Sequence, residues 1–187
     1  MSMNYLFWDT ERIRNSKIYM SAIILTDSSF SILKKELVID DSIDVSKRHA
    51  PKRKVEALRD KATIFNNFTE LASWIVPYIN ESIVVCFGGD DFLSLNDQLK
   101  IHNLPIIQGT FYDLQLASKT FELENLSNLG KVASFLQEKH DAHNPLSDSF
   151  ITMELFKYLK ERYDIEMLKM NIPNKKNILD IEVNGTI

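Results

Sequence analysis

The sequence predicts an α/β protein: a mixed sheet with an antiparallel hairpin at one edge, covered by helices. Three observations predict it. The first forty residues read as strands. The apolar period then lengthens to three and four residues. One short, wholly apolar run, Ile83-Val84-Val85-Cys86-Phe87, interrupts the helical part.

Taken in order, Tyr5 to Trp8 is an apolar-aromatic strand that ends in Asp9. Ile18 to Thr26 is rich in Ile, Leu and Met, and Asp27-Ser28-Ser29 is a turn signal, so Phe30 to Ile39 becomes the return strand of a hairpin. Asp40 to Arg59 is polar and charged and is expected as the main loop. Phe65, Phe68, Leu71, Ala72, Ile75 and Ile79 recur at helical spacing and mark an amphipathic helix, with Trp74 assigned to the core. The apolar run at 83–87 suits a buried central strand, ended by Gly88-Gly89. Helical patterning follows at Phe92 to Ile101, Tyr112 to Thr120, Leu129 to Leu136 and Ser149 to Tyr163. The last twenty residues read as a loosely attached tail with one short strand near Ile178 to Val183.

The chain has 187 residues, 44% hydrophobic and 26% charged, which suits one domain with one substantial core. That domain spans 1–187, with its core at about 4–163 and 164–187 as a C-terminal extension. A net charge of −4 argues against a protein that coats nucleic acid by bulk attraction, but admits an enzyme with a local basic patch and bound metal. The start, Met1-Ser2-Met3-Asn4-Tyr5, lacks a secretory pattern, and no apolar run approaches the roughly 18 residues of a membrane span. The single Cys86 lies in an apolar run and reads as a small buried hydrophobe. A cytoplasmic protein without membrane contact is the simplest expectation.

Three polar motifs fall at element boundaries. Asp9-Thr10-Glu11 closes the first strand, where residues two apart point to the same face and both carboxylates can converge on one ion. Phe87-Gly88-Gly89-Asp90-Asp91-Phe92-Leu93-Ser94-Leu95 follows the buried strand, and its acids either cap the next helix or serve a site. His143-Asn144-Pro145-Leu146-Ser147-Asp148 opens the last strong helix, where Ser147 or Asp148 is also a candidate cap.

In order and context the three motifs resemble the DEDDh exonuclease superfamily, the ribonuclease-H-like group of proofreading subunits and ribonuclease T. Members carry hydrophobic-Asp-x-Glu on the first strand, matched by Phe7-Trp8-Asp9-Thr10-Glu11. A branch that processes RNA 3′ ends often reads Trp-Gly-x-x-Asp-x-x-x-Leu, matched by Phe87 to Leu95 with Phe for Trp, a register that selects Asp91 over Asp90. His-x-x-x-x-Asp and a small residue are matched by His143, Asp148 and Ser149. Tyr112-Asp113-Leu114-Gln115 and Asn128-Leu129-Gly130-Lys131-Val132 resemble the stretches leading to the third motif. The family's usual Thr after the Glu is here Arg12, a position near the terminal nucleotide in relatives.

The resemblance implies a ribonuclease-H-like mixed sheet of about five strands. It also implies 3′→5′ hydrolysis of phosphodiester bonds in RNA or DNA bearing a free 3′ end. Two divalent ions, Mg²⁺ or Mn²⁺, about 3.5–4 Å apart would be held by hard oxygen ligands. Asp9 would bridge the ions, Glu11 and Asp148 would complete one site, Asp91 would serve the other, and His143 would accept a proton from the attacking water. Imidazole as a class titrates near neutral pH, which suits that task.

Thr10 and Arg12 are expected beside the substrate. Lys52 and Arg53 belong to the densest basic stretch, with Lys47, Arg48, His49 and Lys54, which either contacts the phosphate backbone or is a solvated loop. Phe87, Phe92 and Trp8 either stack on bases or pack in the core. His102 and His140 have no partner pattern. A catalytically weak nucleic-acid-binding module on the same fold is the alternative, kept open by Arg12.

Overall fold

The computed structural model describes residues 4–13, 17–46, 48–123 and 126–173. Seven strands form one mixed sheet: β1 (Tyr5–Ile13), β2 (Lys17–Thr26), β3 (Ile32–Asp40), β4 (Thr63–Phe65), β5 (Ile83–Cys86), β6 (Thr110–Asp113) and β7 (Lys169–Asn171). Their spatial order is β4-β3-β2-β1-β5-β6-β7. On one side of β1 the chain runs as an antiparallel meander through β2 and β3. On the other, β5 and β6 lie parallel to β1. β1 is therefore the middle strand, and its carboxyl end opens beside that of β5.

Helices cover both faces. Leu6 and Trp8 of β1 pack with α2 (Phe68–Glu81) and α3 (Asp90–Ile101). Tyr5 and Phe7 pack with α6 (Pro145–Lys160) and with α5 (Leu129–Leu136). The alternate positions of one strand thus feed two separate cores. Inside the first, Trp8 satisfies its indole N–H on Ser21 Oγ at 2.8 Å and meets the Phe92 ring edge-on at 5.1 Å. Trp74, expected in the core, is half-buried against that cluster and donates to Glu36 Oε2 at 2.8 Å.

The structure corrects several expectations. The sheet has seven strands rather than about five, because β4 and β7 are three-residue edge strands too short to carry a period. The expected loop at 40–59 contains α1 (His49–Leu58), whose buried side chains among those described are Val55 and Leu58, packed against β2 and β3. Two apolar residues leave too thin a stripe to read as a helix. The helix expected from Phe65 starts at Phe68. Asn67 caps it by accepting from Glu70 N at 3.0 Å, while Glu70 reaches back to Asn66 N at 2.9 Å.

The stretch 112–120, expected as helix, begins as β6 and continues through a 3₁₀ turn into the short α4 (Ala117–Thr120). A four-residue buried strand cannot be told from a buried helix segment by periodicity. Residues 168–173, expected as the start of a loosely attached tail, pack firmly: Leu168 is buried, β7 pairs with β6, and Ile172 joins the first core. The expected strand near Ile178 to Val183, and Lys47 of the basic stretch, lie outside the described residues. No helix among the described residues is long and apolar enough to cross a membrane.

One buried amide fixes α3. Asn96 accepts from Ile107 N at 2.8 Å and donates to Ile107 O at 3.1 Å and to Pro173 O at 3.3 Å. Asn96→Ala leaves these backbone groups without partners inside the protein, so a loss of about 2–4 kcal/mol is expected in urea unfolding. A change below about 0.5 kcal/mol would show that α3 does not depend on this amide.

Candidate active site

The carboxyl half of β1 turns polar. Asp9 and Glu11 continue the face of Phe7, toward α6, while Thr10 and Arg12 continue the face of Trp8, toward α3. Register with β2 steps between Glu11, opposite Met20, and Arg12, opposite Ile18, so the last turn of the strand is re-aimed.

Asp148 arrives from the first turn of α6. That helix starts at Pro145 and is capped by Asn144, whose side chain accepts from Leu146 N at 3.2 Å. Neither Ser147 nor Asp148 is the cap; Ser147 Oγ instead accepts from Asp141 N at 3.0 Å. Asp148 is thereby free to face the strand. Asp9, Glu11 and Asp148 each offer one oxygen, and these three atoms lie within 4.8 Å of one another.

Asp91 comes from the first turn of α3, whose cap is Gly89; Asp90, considered as a cap, makes no capping bond. Gly88 turns the chain into that helix at φ +99°, a region that favours glycine, and its N–H is held by Asp113 Oδ1 at 2.9 Å. Asp91 is buried and accepts a short bond from the Thr10 hydroxyl, whereas the Asp90 side chain is 79% exposed. Arg12 spans the same corner. It donates to Ser94 Oγ at 3.1 Å, and its guanidinium lies 3.9 Å from both the Asp91 and the Asp90 carboxylates.

Two histidines close the site. His143 is highly exposed, sits at φ +61°, and brings Nδ1 to 3.4 Å from Glu11 Oε1. His140, for which the sequence offered no partner, is mostly buried and places Nε2 2.5 Å from Asp148 Oδ1. Its signal was absent because eight residues separate it from Asp148 and a turn, not a periodic element, joins them. Asp9, Thr10, Glu11, Arg12, Asp148 and both histidines line a cleft of about 660 Å³ with Phe87, Gln115 and residues 127–130, while Asp91 lies buried behind Thr10 and Arg12 and does not line it. A neighbouring cavity shares Glu11, Arg12 and both histidines and adds Tyr19, Arg53 and Lys54.

The expected substrate residues therefore divide. Thr10, Arg12 and Phe87 line the cleft, and Arg53 lines the adjoining cavity. Phe92 is fully buried, between Trp8 and Phe111, and cannot stack on a base. Its helical position, one past Asp91, turns it into the core. Lys52 lines neither cavity and points to Glu56 at 3.8 Å along α1. Cys86 is buried and its thiol is pushed up by burial, the state of an inert core residue.

Burial, helped by neighbouring charge, shifts Asp9, Glu11, Asp91 and Asp148 upward. Burial, then the charges of Asp91, Asp148 and Glu11, push Asp9 well above the usual carboxylate range. Burial raises Glu11 and Asp148, against the opposing pull of His143 and His140 respectively. Burial carries Asp91 to about 6 despite the Thr10 bond and Arg12. Burial and the adjacent Glu11 also push the Tyr19 phenol upward. Carboxylates this close with only oxygen donors suit a hard divalent cation, which would relieve the repulsion that raises them. Asp9, Glu11 and Asp148 fit that role.

Parallel strands carrying acids at their carboxyl ends, beside a meander and between helical layers, define a ribonuclease-H-like α/β fold. The solved structures it resembles are exonucleases. One is a 3′-exonuclease in specific recognition of the 3′ end of a histone mRNA stem-loop (TM-score 0.65, 11% identity, 86% of this chain and 82% of that one). A full-length 3′-exonuclease matches with TM-score 0.62 and 12% identity over 86% of this chain and 82% of that one. Escherichia coli exonuclease I in complex with a dT13 oligonucleotide matches with TM-score 0.56 and 15% identity, over 96% of this chain but 43% of that one. At such identities the likeness establishes the fold. No protein-family model matches the chain, and no curated protein matches it significantly.

The raised acids set a pH dependence. A carboxyl whose folded pKa is raised stabilises the fold when protonated, and that stability is lost as pH rises through the folded value. Metal-free protein is therefore expected to become more stable as pH falls from 7.5 to 5.5, by about 1 kcal/mol from Asp91 alone. Melting in EDTA across that range checks it, and Asp91→Asn should flatten the slope. A melting temperature that falls steadily toward pH 5.5 would contradict the mutual repulsion described here.

Proposed function

We propose that the protein is a metal-dependent 3′→5′ exonuclease that hydrolyses the terminal phosphodiester bond of RNA or DNA with a free 3′ end. The observation that carries this reading is the convergence of Asp9, Glu11 and Asp148 within 4.8 Å at the carboxyl end of the middle strand. The fold shared with 3′-exonucleases supports it.

Asp9, Glu11 and Asp148 would hold Mg²⁺ or Mn²⁺ through hard oxygen donors. Such an ion lowers the pKa of a coordinated water and neutralises charge on the phosphate. His143, at the mouth of the cleft beside Glu11, accepts the proton that the attacking water loses. The water oxygen adds to phosphorus and the bond from phosphorus to the upstream 3′ oxygen breaks. That oxygen takes a proton from solvent, and a nucleoside 5′-monophosphate leaves. Thr10 fixes Asp91, and His140 orients Asp148, one of the three carboxylates that would hold the ion. Phe87 at the cleft wall offers a ring face to the terminal base, and Arg53 in the adjoining cavity offers charge to the backbone upstream.

Oligonucleotides labelled at either end, incubated with Mn²⁺, Mg²⁺ or EDTA, test the reading. Stepwise shortening from the 3′ end is expected with metal and none with EDTA. Asp9→Ala and Asp148→Ala should lose metal binding and activity together. His143→Ala should keep metal and oligonucleotide affinity while turnover falls about 10²–10⁴-fold. Binding of oligonucleotides without cleavage by the wild type would favour the binding-module alternative.

A further inference from the structure

The corner around Asp91 differs from the rest of the acid cluster. Three carboxylates converge without it. Asp91 itself is already engaged: Thr10 donates a hydroxyl to it, and the Arg12 guanidinium lies 3.9 Å away. Arg12 is also anchored, through Ser94 Oγ at 3.1 Å and Asp90 at 3.9 Å, so three α3 residues steer the guanidinium to this spot. Its side chain is 31% exposed and lines both cavities, which leaves one edge facing the cleft.

We propose that Arg12 is the fixed positive charge on the Asp91 side of the cleft, so that the site takes one divalent ion, held by Asp9, Glu11 and Asp148, and excludes a second. This rests on the metal-dependent reading of the same cleft. A cation is needed near Asp91, because Asp90 shares the corner and the proposed substrate would bring a phosphodiester beside it. A guanidinium meets that need with one charge, planar donors and no ligand oxygens to recruit. The Arg12 guanidinium lies 3.9 Å from both the Asp91 and the Asp90 carboxylates, so it already stands on the ground a second ion would occupy. A hydrated divalent ion there would sit against a like charge at short range, beside an Asp91 Oδ1 that Thr10 and Arg12 already face. Facing the cleft, the same guanidinium can neutralise charge on the departing 3′ oxygen, the role a second ion otherwise performs.

The test counts ions. The full chain is titrated with Mn²⁺ and followed by electron paramagnetic resonance, with and without a nucleoside 5′-monophosphate, the product of the proposed reaction. Wild type is expected to bind one Mn²⁺ per chain and to give an isolated six-line spectrum. Arg12→Thr is expected to bind two, with the broadened signal of a coupled pair. Arg12→Lys, which keeps the charge, should stay at one. A coupled pair in wild type, or a single ion in Arg12→Thr, overturns the proposal while leaving the metal-dependent reading intact. No Mn²⁺ bound by wild type, with Asp148→Ala indistinguishable from it, overturns both. Because wild type alone can refute the idea, a poorly folding variant does not protect it.

Discussion

Side chains leave a β-strand on alternate sides, and in β1 that alternation reaches from the core to the cleft. Its first half buries both faces at once, with Leu6 and Trp8 against α2 and α3 and with Tyr5 and Phe7 against α6. A strand held on two faces cannot slip by one residue without inverting both cores. The polar half inherits that register. Asp9 and Glu11 must follow Phe7 toward α6, where Asp148 waits, and Thr10 and Arg12 must follow Trp8 toward α3, where Asp91 waits. The acid cluster is thus divided by the sheet's own geometry into a three-carboxylate side and an Asp91–Thr10–Arg12 side.

Holding those acids together costs stability, because burial and like charge both disfavour ionisation. Asp91, carried to about 6, is a measure of that cost. A domain's total margin is of order 5–15 kcal/mol, so such a cluster cannot stand without compensation. Compensation is local and comes from different elements: His140 at Asp148, His143 at Glu11, Thr10 and Arg12 at Asp91. Their reach overlaps, since Arg12 lies as close to Asp90 as to Asp91 and also draws Asp9 and Glu11 toward ionisation. Asp9, the most crowded, has no hydrogen-bond donor to its carboxylate among those described, and its position between the two sides is where an added cation gains most.

How far the sequence could be read follows from which interactions are local. β1, the β2–β3 hairpin, the buried β5 and the start of α2 within three residues were legible, because period and turn chemistry are written along the chain. The polar motifs were legible because they sit where those elements end. Contacts between elements were not. His140 meets Asp148 only after the turn folds back. α1 shows a stripe of two described residues because a short helix rests on β2 and β3 through one narrow side. Tyr112 reads as helix until pairing with Val85 makes it strand. Phe92 illustrates the converse: it adjoins a site acid in sequence, and one residue along a helix is about 100° of rotation, which sends it into the core.

The segment from His140 to Pro145 is the least constrained part of the cleft, and the energetics say what holds it. Lys54 on α1 reaches Asp141 at 2.5 Å, but Asp141 is 59% exposed, and such surface pairs contribute about 1 kcal/mol or less. The firmer restraints are short-range: Asp141 N on Ser147, Asn144 Nδ2 on Asp141 at 3.0 Å, and the Asn144 cap followed by Pro145. Against them stands His143 in the left-handed region, where a residue with a Cβ pays roughly 1–2 kcal/mol. The turn that carries this strain leaves the His143 ring exposed at the rim, with Nδ1 3.4 Å from Glu11 Oε1. The α6 cap therefore does two jobs. It starts the helix that delivers Asp148, and it bends the preceding turn so that one imidazole faces the strand from within the cleft while the other faces it from the rim.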